Sequence, residues 1–383
     1  MTYPSVLFVD HTGTLGGAEL YLLDLVHHYP GRSHVVLFED GPLVHRLVEA
    51  GSTVEVIGGG GSMLGVKRED GWGRSLQAIP ALMSLAARLT KRMRGYEVVF
   101  ANSQKALVVS ALSSWVAQRP LIWNLHDILT ADHFSALNRK VAVALANRFA
   151  RRVIVNSEAT LRAFHEAGGA VEKGTVVYNG IDIAPFDSVR AEEVKALRRE
   201  LGVGEVPVVG VFSRLAPWKG QHVLIEALPQ LPGVHALFVG SALFGEDAYE
   251  DELHRLVEGM GVSDRAHFLG FRREVPLLMA CCDVVAHTSI APEPFGRVII
   301  EAMAAGRPVV ATQAGGALEI ITDRETGRLV APGDPTALAT AVQAVLCEPE
   351  KGKLVRAAND HVRETFSVAV MVETATQVIA SVG

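Results

Sequence analysis

SVLFVDHTGTLGGAELYLLDLVHHYPGRSHVVLFEDGPLVHRLVEA, residues 5–50, reads as strand, helix, strand, helix. SVLFVD (5–10) and HVVLF (34–38) are short apolar runs, whereas AELYLLDLVHHY (18–29) and PLVHRLVEA (42–50) carry apolar residues at helical spacing. Strands separated by helices pair in parallel, so this order predicts an α/β sheet covered on both faces. The alternation continues through strand candidates at Glu97–Ala101, Leu121–Leu125, Arg152–Asn156 and Thr175–Tyr178. A turn-rich YNGIDIAPFD (178–187) and a polar helix VRAEEVKALRREL (189–201) break it. It then restarts with strands at Val208–Phe212, His235–Val239, Ala266–Leu269, Asp283–Ala286, Pro308–Ala311 and Gly327–Val330. We therefore expect two doubly wound domains, 1–185 and 186–365, and a final helix within 366–383.

The 383 residues suit two domains at about 100–200 residues each. With 49% hydrophobic and 20% charged residues the chain has the composition of a soluble globular protein, not a disordered one. The net charge of -6 is unevenly spread: residues 1–190 hold 19 Lys/Arg against 17 Asp/Glu, the remainder 17 against 25. Between Lys67 and Arg152 there are 14 Lys/Arg and 5 Asp/Glu. One reading of Arg88, Lys91, Arg92, Arg94, Arg148, Arg151 and Arg152 is solvated helix ends; the other is contact with an anionic lipid surface or acceptor. Nucleic acid is not expected, because no aromatics interleave with these charges. Cys281, Cys282 and Cys347 are not spaced for a metal and read as reduced core thiols of a cytoplasmic protein. No signal peptide or apolar span of about 18 residues is visible, so any membrane contact would be peripheral, at the inner face.

Ligands of doubly wound sheets bind beyond the C-terminal ends of the strands, which directs attention to the loops there. In APEPFGRVIIEAMAAGRPVVATQAGG (291–316), Glu293 lies in a loop and Glu301 two turns into the following helix, within an apolar stretch where an unpaired carboxylate is costly. One could accept hydrogen bonds from sugar hydroxyls and the other from a ribose. The N–H groups at Phe295, Gly296 and Arg297 would form a positive helix terminus suited to a diphosphate. In VFSRLAPWKGQHVLIEAL (211–228), Arg214 and Lys219 follow a strand and could clamp the same diphosphate.

These segments resemble the signature of glycosyltransferase family 4, retaining enzymes of the GT-B fold. The resemblance runs over most of the chain: GGAE (16–19), NLHD (124–127), VNSEAT (155–160), VYNGID (177–182), FSRLAPWKG (212–220), HFLGF (267–271), EPFGRVIIEAMAAGRPVVAT (293–312), GGALEI (315–320) and TGRLVAPGD (326–334). It implies two Rossmann-like domains facing a cleft, with the C-terminal helix crossing back to the first. It also implies that Arg214 and Lys219 bind the donor phosphates, Glu301 the ribose and Glu293 the transferred sugar, with the amides of Phe295 and Gly296 completing the cradle. His126 matches the first-domain histidine that faces the donor sugar. Gly16 and Gly17 resemble a close-approach turn beneath donor or acceptor; a plain tight turn, with Glu19 favouring the helix start, is the equal alternative. GGGGS (58–62), with Met63, Lys67, Arg68 and Trp72 after it, reads as a mobile loop.

No Asp-x-Asp pair occurs in the chain, so transfer without a metal cofactor is expected. The expected donor is a UDP-, GDP- or ADP-sugar, and the acceptor a glycan, a lipid-linked acceptor or a small molecule. The alternatives are a sugar-nucleotide epimerase or phosphorylase of the same fold, and a non-catalytic nucleotide-sugar-binding module.

Overall fold

A computed structural model describes residues 3–58, 79–130, 134–242 and 245–383. The GGGGS stretch from Gly59 onward, with Met63, Lys67, Arg68 and Trp72, lies outside them. The chain divides into two compact units, Met1–Gly180 with Val368–Gly383, and Ile181–Ser367.

In the first unit the described strands are β1 (Val6–Asp10), β2 (Ser33–Leu37), β3 (Val54–Val56), β4 (Val98–Ala101), β5 (Leu121–Leu125), β6 (Ala150–Val155) and β7 (Gly174–Val176). They form one parallel sheet in the order β3-β2-β1-β4-β5-β6-β7. Alternate residues of each strand enter different cores, as the two-residue period of a strand requires. Leu7, Val9, Val99, Ala101 and Trp123 join the core under helices Ile79–Met93, Gln104–Ala117 and Ala136–Phe149. Val6, Phe8, Val35, Phe100 and Ile122 join the other, under helices Gly17–His28 and Pro42–Glu49. Helix Val368–Ala380 completes that second face with Met371, Val372, Ala375, Val378 and Ile379. Serine side chains start the helices that follow β4 and β6: Ser103 accepts from the Ala106 N–H and Ser157 from that of Thr160, satisfying first-turn donors.

The second unit holds β8 (Val208–Phe212), β9 (His235–Val239), β10 (Ala266–Gly270), β11 (Val284–His287), β12 (Val309–Thr312) and β13 (Arg328–Val330), all parallel in the order β10-β9-β8-β11-β12-β13. Both sheets therefore reverse their strand order, at β1/β4 and at β8/β11. Helix Arg297–Ala304 runs from β11 to β12, and Asn359 Nδ2 ties down its C-terminal end by donating to the carbonyls of Met303 (3.0 Å) and Ala304 (3.1 Å).

Three expectations need amendment. The boundary falls at Gly180/Ile181, before the 185/186 position expected, and Phe366 and Ser367 belong to the second unit rather than to the final helix. The reason is local: the Ile181 N–H donates to the Phe366 carbonyl (2.9 Å), Ile181 bridges Ser367, and the Phe366 ring packs edge-on against Phe295 at 5.6 Å. Cys281 and Cys282 are buried, but Cys347 is exposed near the end of helix Pro335–Cys347 and is no core thiol. Nor are all of those arginines solvated helix ends: Arg151 and Arg152 lie in β6, and Arg92, although in the last turn of helix Ile79–Met93, donates to both oxygens of Glu55 at 2.7 and 2.6 Å.

Candidate active site

At the β8/β11 reversal of the second unit two loops are locked to each other. The Ile290 N–H donates to the Trp218 carbonyl (2.9 Å) and Thr288 Oγ1 to the Lys219 carbonyl (2.9 Å). Gly220, at φ +69, passes so close to the Thr288 carbonyl that a Cβ would overlap it. This fastening brings Lys219 to Glu293, with Nζ 2.7 Å from Oε1. His287 Nε2, at the end of β11, lies 2.9 Å from the same oxygen, and Ser289 Oγ donates to it as well. Glu293 is 8% exposed. Burial alone would raise its pKa, but the Lys219 and His287 charges and their hydrogen bonds overcome that and hold the carboxyl well below the usual carboxylate range. All three donors converge on Oε1, the other acceptor of the carboxylate being Oε2.

The loop bearing Glu293 rests on glycines. The Gly316 N–H donates to the Glu293 carbonyl (2.9 Å). A Cβ at Gly315, which sits at φ +59, would overlap that carbonyl, and one at Gly316 would overlap the Phe295 carbonyl. Phe295 is buried, and Gly296 at φ +106 turns the chain into helix Arg297–Ala304. Glu301, half-buried on that helix, accepts from Arg297 Nε at 2.9 Å. The Arg214 guanidinium stands 5.4 Å from the Trp218 ring centre, and the Lys219 ammonium 4.3 Å from it. The structure thus brings Lys219 and Glu293 into direct contact, pairs Glu301 with Arg297, and stacks Arg214 on the loop that carries Lys219. His287 and Ser289 went unrecognised in the sequence, and Gly315 was read only as part of the GGALEI motif.

In the first unit the reversal lies between β1 and β4, and a buried polar cluster occupies it. Asn102 Nδ2 donates to Asp10 Oδ2 (2.7 Å), and its Oδ1 accepts from Asn124 Nδ2 (3.0 Å). His126 Nε2 lies 3.0 Å from Asn102 Oδ1 and 2.8 Å from Asn124 Nδ2, and the Tyr21 ring meets the imidazole edge-on at 5.2 Å. Burial lowers the His126 pKa to about 4 against the opposing pull of Asp10, so the ring is neutral at pH 7. Asp10 is drawn below its usual range: burial opposes this, and hydrogen bonds with His11 and Asn102 prevail. Glu19 goes the other way, to about 7, through burial and then the nearby Asp10 charge. Its Oε2 would lie 2.7 Å from a Cβ at Gly16, whereas a Cβ at Gly17 would meet nothing within 4 Å. Neither glycine has a positive φ, so the turn itself does not demand them. Among the described residues the ligand atoms of Asp10, His11 and Glu19 form the one grouping, all within 4.8 Å of one another, that could hold a metal ion.

Two doubly wound parallel domains, one carrying a charge-neutralised buried carboxylate at its switch point, have the architecture of the GT-B glycosyltransferases. The model of glycosyltransferase family 4 matches residues 15–185, and that of glycosyl transferases group 1 matches 193–361. A crystal structure of Anabaena HepE in complex with UDP and glucose is 44% identical, with a TM-score of 0.89 over 98% of this chain and 99% of that one. The lipopolysaccharide core biosynthesis glycosyltransferase LpsE of Rhizobium meliloti is 33% identical over 46% of this chain and 51% of its own length. A GDP-mannose-dependent phosphatidylinositol monomannoside mannosyltransferase of Mycolicibacterium smegmatis is 35% identical over 48% and 49%. The chain spans about half the length of these two curated relatives. It belongs to glycosyltransferase family 4.

Proposed function

We propose that the chain transfers a hexose from a nucleoside diphosphate sugar to an acceptor hydroxyl, with retention at the anomeric carbon and without a metal cofactor. The observation that carries this is Glu293: three donors saturate Oε1 and leave Oε2 to accept from hydroxyls of the transferred sugar. Arg214 and the start of helix Arg297–Ala304 receive the diphosphate, Lys219 adds positive charge beside it, and Glu301 accepts from the ribose. The bond from the anomeric carbon to the phosphate oxygen breaks through an oxocarbenium-like transition state. The acceptor oxygen bonds to that carbon from the same face, and its proton passes to the departing phosphate. His126 orients the sugar as a neutral imidazole. UDP-glucose is the first donor to test, since HepE has been crystallised with it at 43% identity over 99% of this chain. The acceptor is a glycan, a lipid-linked acceptor or a small molecule.

Calorimetry and thermal shift with UDP, GDP, ADP and their sugar conjugates, with and without EDTA, test the reading, followed by NMR of the product anomer. Selective, EDTA-insensitive stabilisation and a retained anomer are expected. Loss of binding in EDTA would assign Asp10, His11 and Glu19 to a metal instead, an inverted anomer would refute the mechanism, and no binding at all would refute the function.

A further inference from the structure

β1 ends on a buried carboxylate that orients the ring beside it. Asp10 Oδ1 accepts from the His11 backbone N–H at 2.7 Å and lies 3.1 Å from His11 Nδ1, while Oδ2 accepts from Asn102 Nδ2 at 2.7 Å. Asn102 is held in turn, because the same Nδ2 donates to the Ala18 carbonyl at 3.1 Å. Ser103 Oγ, which caps the helix after β4, stands 2.9 Å from His11 Nδ1 and hydrogen-bonds the Asp10 carboxyl. Asp10 stays ionised and can only accept, so a bare Nδ1 would set lone pair against lone pair. The ring proton therefore sits on Nδ1, and Nε2 is the bare nitrogen. Nε2 meets no partner among the described residues, and the side chain is 25% exposed. A carboxylate that fixes the tautomer of an imidazole in this way makes its outer nitrogen a directed hydrogen-bond acceptor.

The surroundings decide what such an acceptor can hold. His11 follows the carboxyl end of β1, at the β1/β4 reversal, where ligands of doubly wound sheets bind. Glu19 is the third group at this point, its ligand atom within 4.8 Å of those of Asp10 and His11. Lone pairs and negative charge meet here, so a hydroxyl can donate inward, whereas a phosphate or carboxylate would face like charge. We infer that His11 Nε2 accepts a hydrogen bond from an acceptor hydroxyl next to the one that reacts, and that the acceptor presents an uncharged sugar ring there. This rests on the transfer reaction proposed above and narrows its acceptor to a ring with neighbouring hydroxyls. The reacting hydroxyl keeps its own proton path to the departing phosphate. Asp10 acts through His11, as a positioning residue.

Transfer from UDP-glucose to p-nitrophenyl β-glucoside, β-galactoside and α-mannoside tests the inference, with donor affinity measured by calorimetry on the same samples. His11→Phe should lower kcat/KM for the glycoside roughly tenfold, through KM more than kcat, with donor affinity and unfolding temperature like the parent's. His11→Gln, whose side-chain oxygen can take the place of Nε2, should restore most of the loss, and the shorter His11→Asn should not. Glucose 6-phosphate and glucuronic acid should be poorer acceptors than glucose. Long-range proton–nitrogen NMR reads the tautomer: the His11 ring, identified by the signals missing from His11→Gln, should carry its proton on Nδ1, and Asp10→Asn should lose that preference. Transfer to none of the glycosides, a preference for the anionic sugars, or a His11→Phe variant that transfers like the parent while binding UDP-glucose normally would overturn the inference. So would a proton on Nε2 with Nδ1 bare, which fits a cation held by Asp10, His11 and Glu19. Failure of the parent to bind any nucleoside diphosphate sugar would refute the donor reading, and this inference with it.

Discussion

Replacing Lys219 with Met removes the ammonium 2.7 Å from Glu293 Oε1 and leaves a carboxylate that is 8% exposed with His287 and Ser289 alone. Breaking a buried pair by deleting one partner costs about 3–5 kcal/mol, and the two surviving donors argue for the lower end, about 3 kcal/mol. For a unit of this size that is roughly 6–12 °C in unfolding temperature, at about 2–4 °C per kcal/mol. The pH dependence carries the sharper signature. In the parent, Glu293 titrates well below the usual range, so the unfolded chain binds the proton first. The pair's stabilisation is therefore full above the ordinary carboxylate pKa and is lost as pH falls through it toward the folded value. In Lys219→Met the largest lowering influence on Glu293 is gone while burial remains, so the loss of stability on the acid side should shrink. Calorimetric unfolding at several pH values reads both, and Lys219→Met/Glu293→Gln should recover much of the loss. A loss below about 1 kcal/mol with an unchanged pH slope would refute the claim that Lys219 neutralises Glu293.

The two glycine motifs should respond in opposite ways. Gly315→Ala forces a left-handed backbone and a clash with the Glu293 carbonyl and should cost roughly 2–4 kcal/mol and abolish donor binding, whereas Gly17→Ala should change stability by less than about 1 kcal/mol. Loss of turnover in a stable Gly17→Ala variant would then report a substrate passing over that turn; unchanged kinetics would leave only the helix-start reading. His126 has a folded pKa of about 4, below its unfolded value, so the unfolded chain binds the extra proton and stability falls as pH drops from about 6.5 toward 4. His126→Phe should remove that acid-side slope, and the rate profile of the parent should show no His126 inflection between about pH 6 and 8. Deleting Val368–Gly383 strips five buried apolar side chains from one face of the first sheet, of which Met371, Val372, Val378 and Ile379 contribute about 1.5–3 kcal/mol each, and should leave a chain that fails to unfold cooperatively in calorimetry. A truncated chain as stable as the parent would contradict this.

The strands were legible because parallel strands are buried on both faces and appear as unbroken apolar runs such as VVGVF and VLFVD, set apart by helical spacing. Glu293 was legible from its loop, but not the side chains that hold it. His287 and Ser289 sit in a run, VVAHTSIAPEPFG, that no spacing rule distinguishes; they meet Glu293 only because the loop folds back over the end of β11. Lys219 read only as a diphosphate clamp, since its pairing with Glu293, 74 residues away, depends on strand order. Asp10 and Asn102 carried a signal that went unused: each stands at the end of a strand, and β1 and β4 flank the reversal, where polar side chains should gather. Cys347 misled because a cysteine among valines and leucines reads as core, while its place on the outer face of a terminal helical turn is set by tertiary packing.

The first unit is discontinuous, with 187 residues of the second unit, Ile181–Ser367, inserted between its sheet and the helix Val368–Ala380 that covers it. During synthesis the first sheet is therefore made early, but the face it shares with helices Gly17–His28 and Pro42–Glu49 stays incomplete until the second unit has been made and helix Val368–Ala380 follows. At about 5–20 residues per second that wait lasts on the order of ten to forty seconds, long against the folding time of a small domain. The second unit, contiguous in sequence, can mature first although it is translated later, and the nascent first unit is the stretch with most need of a chaperone.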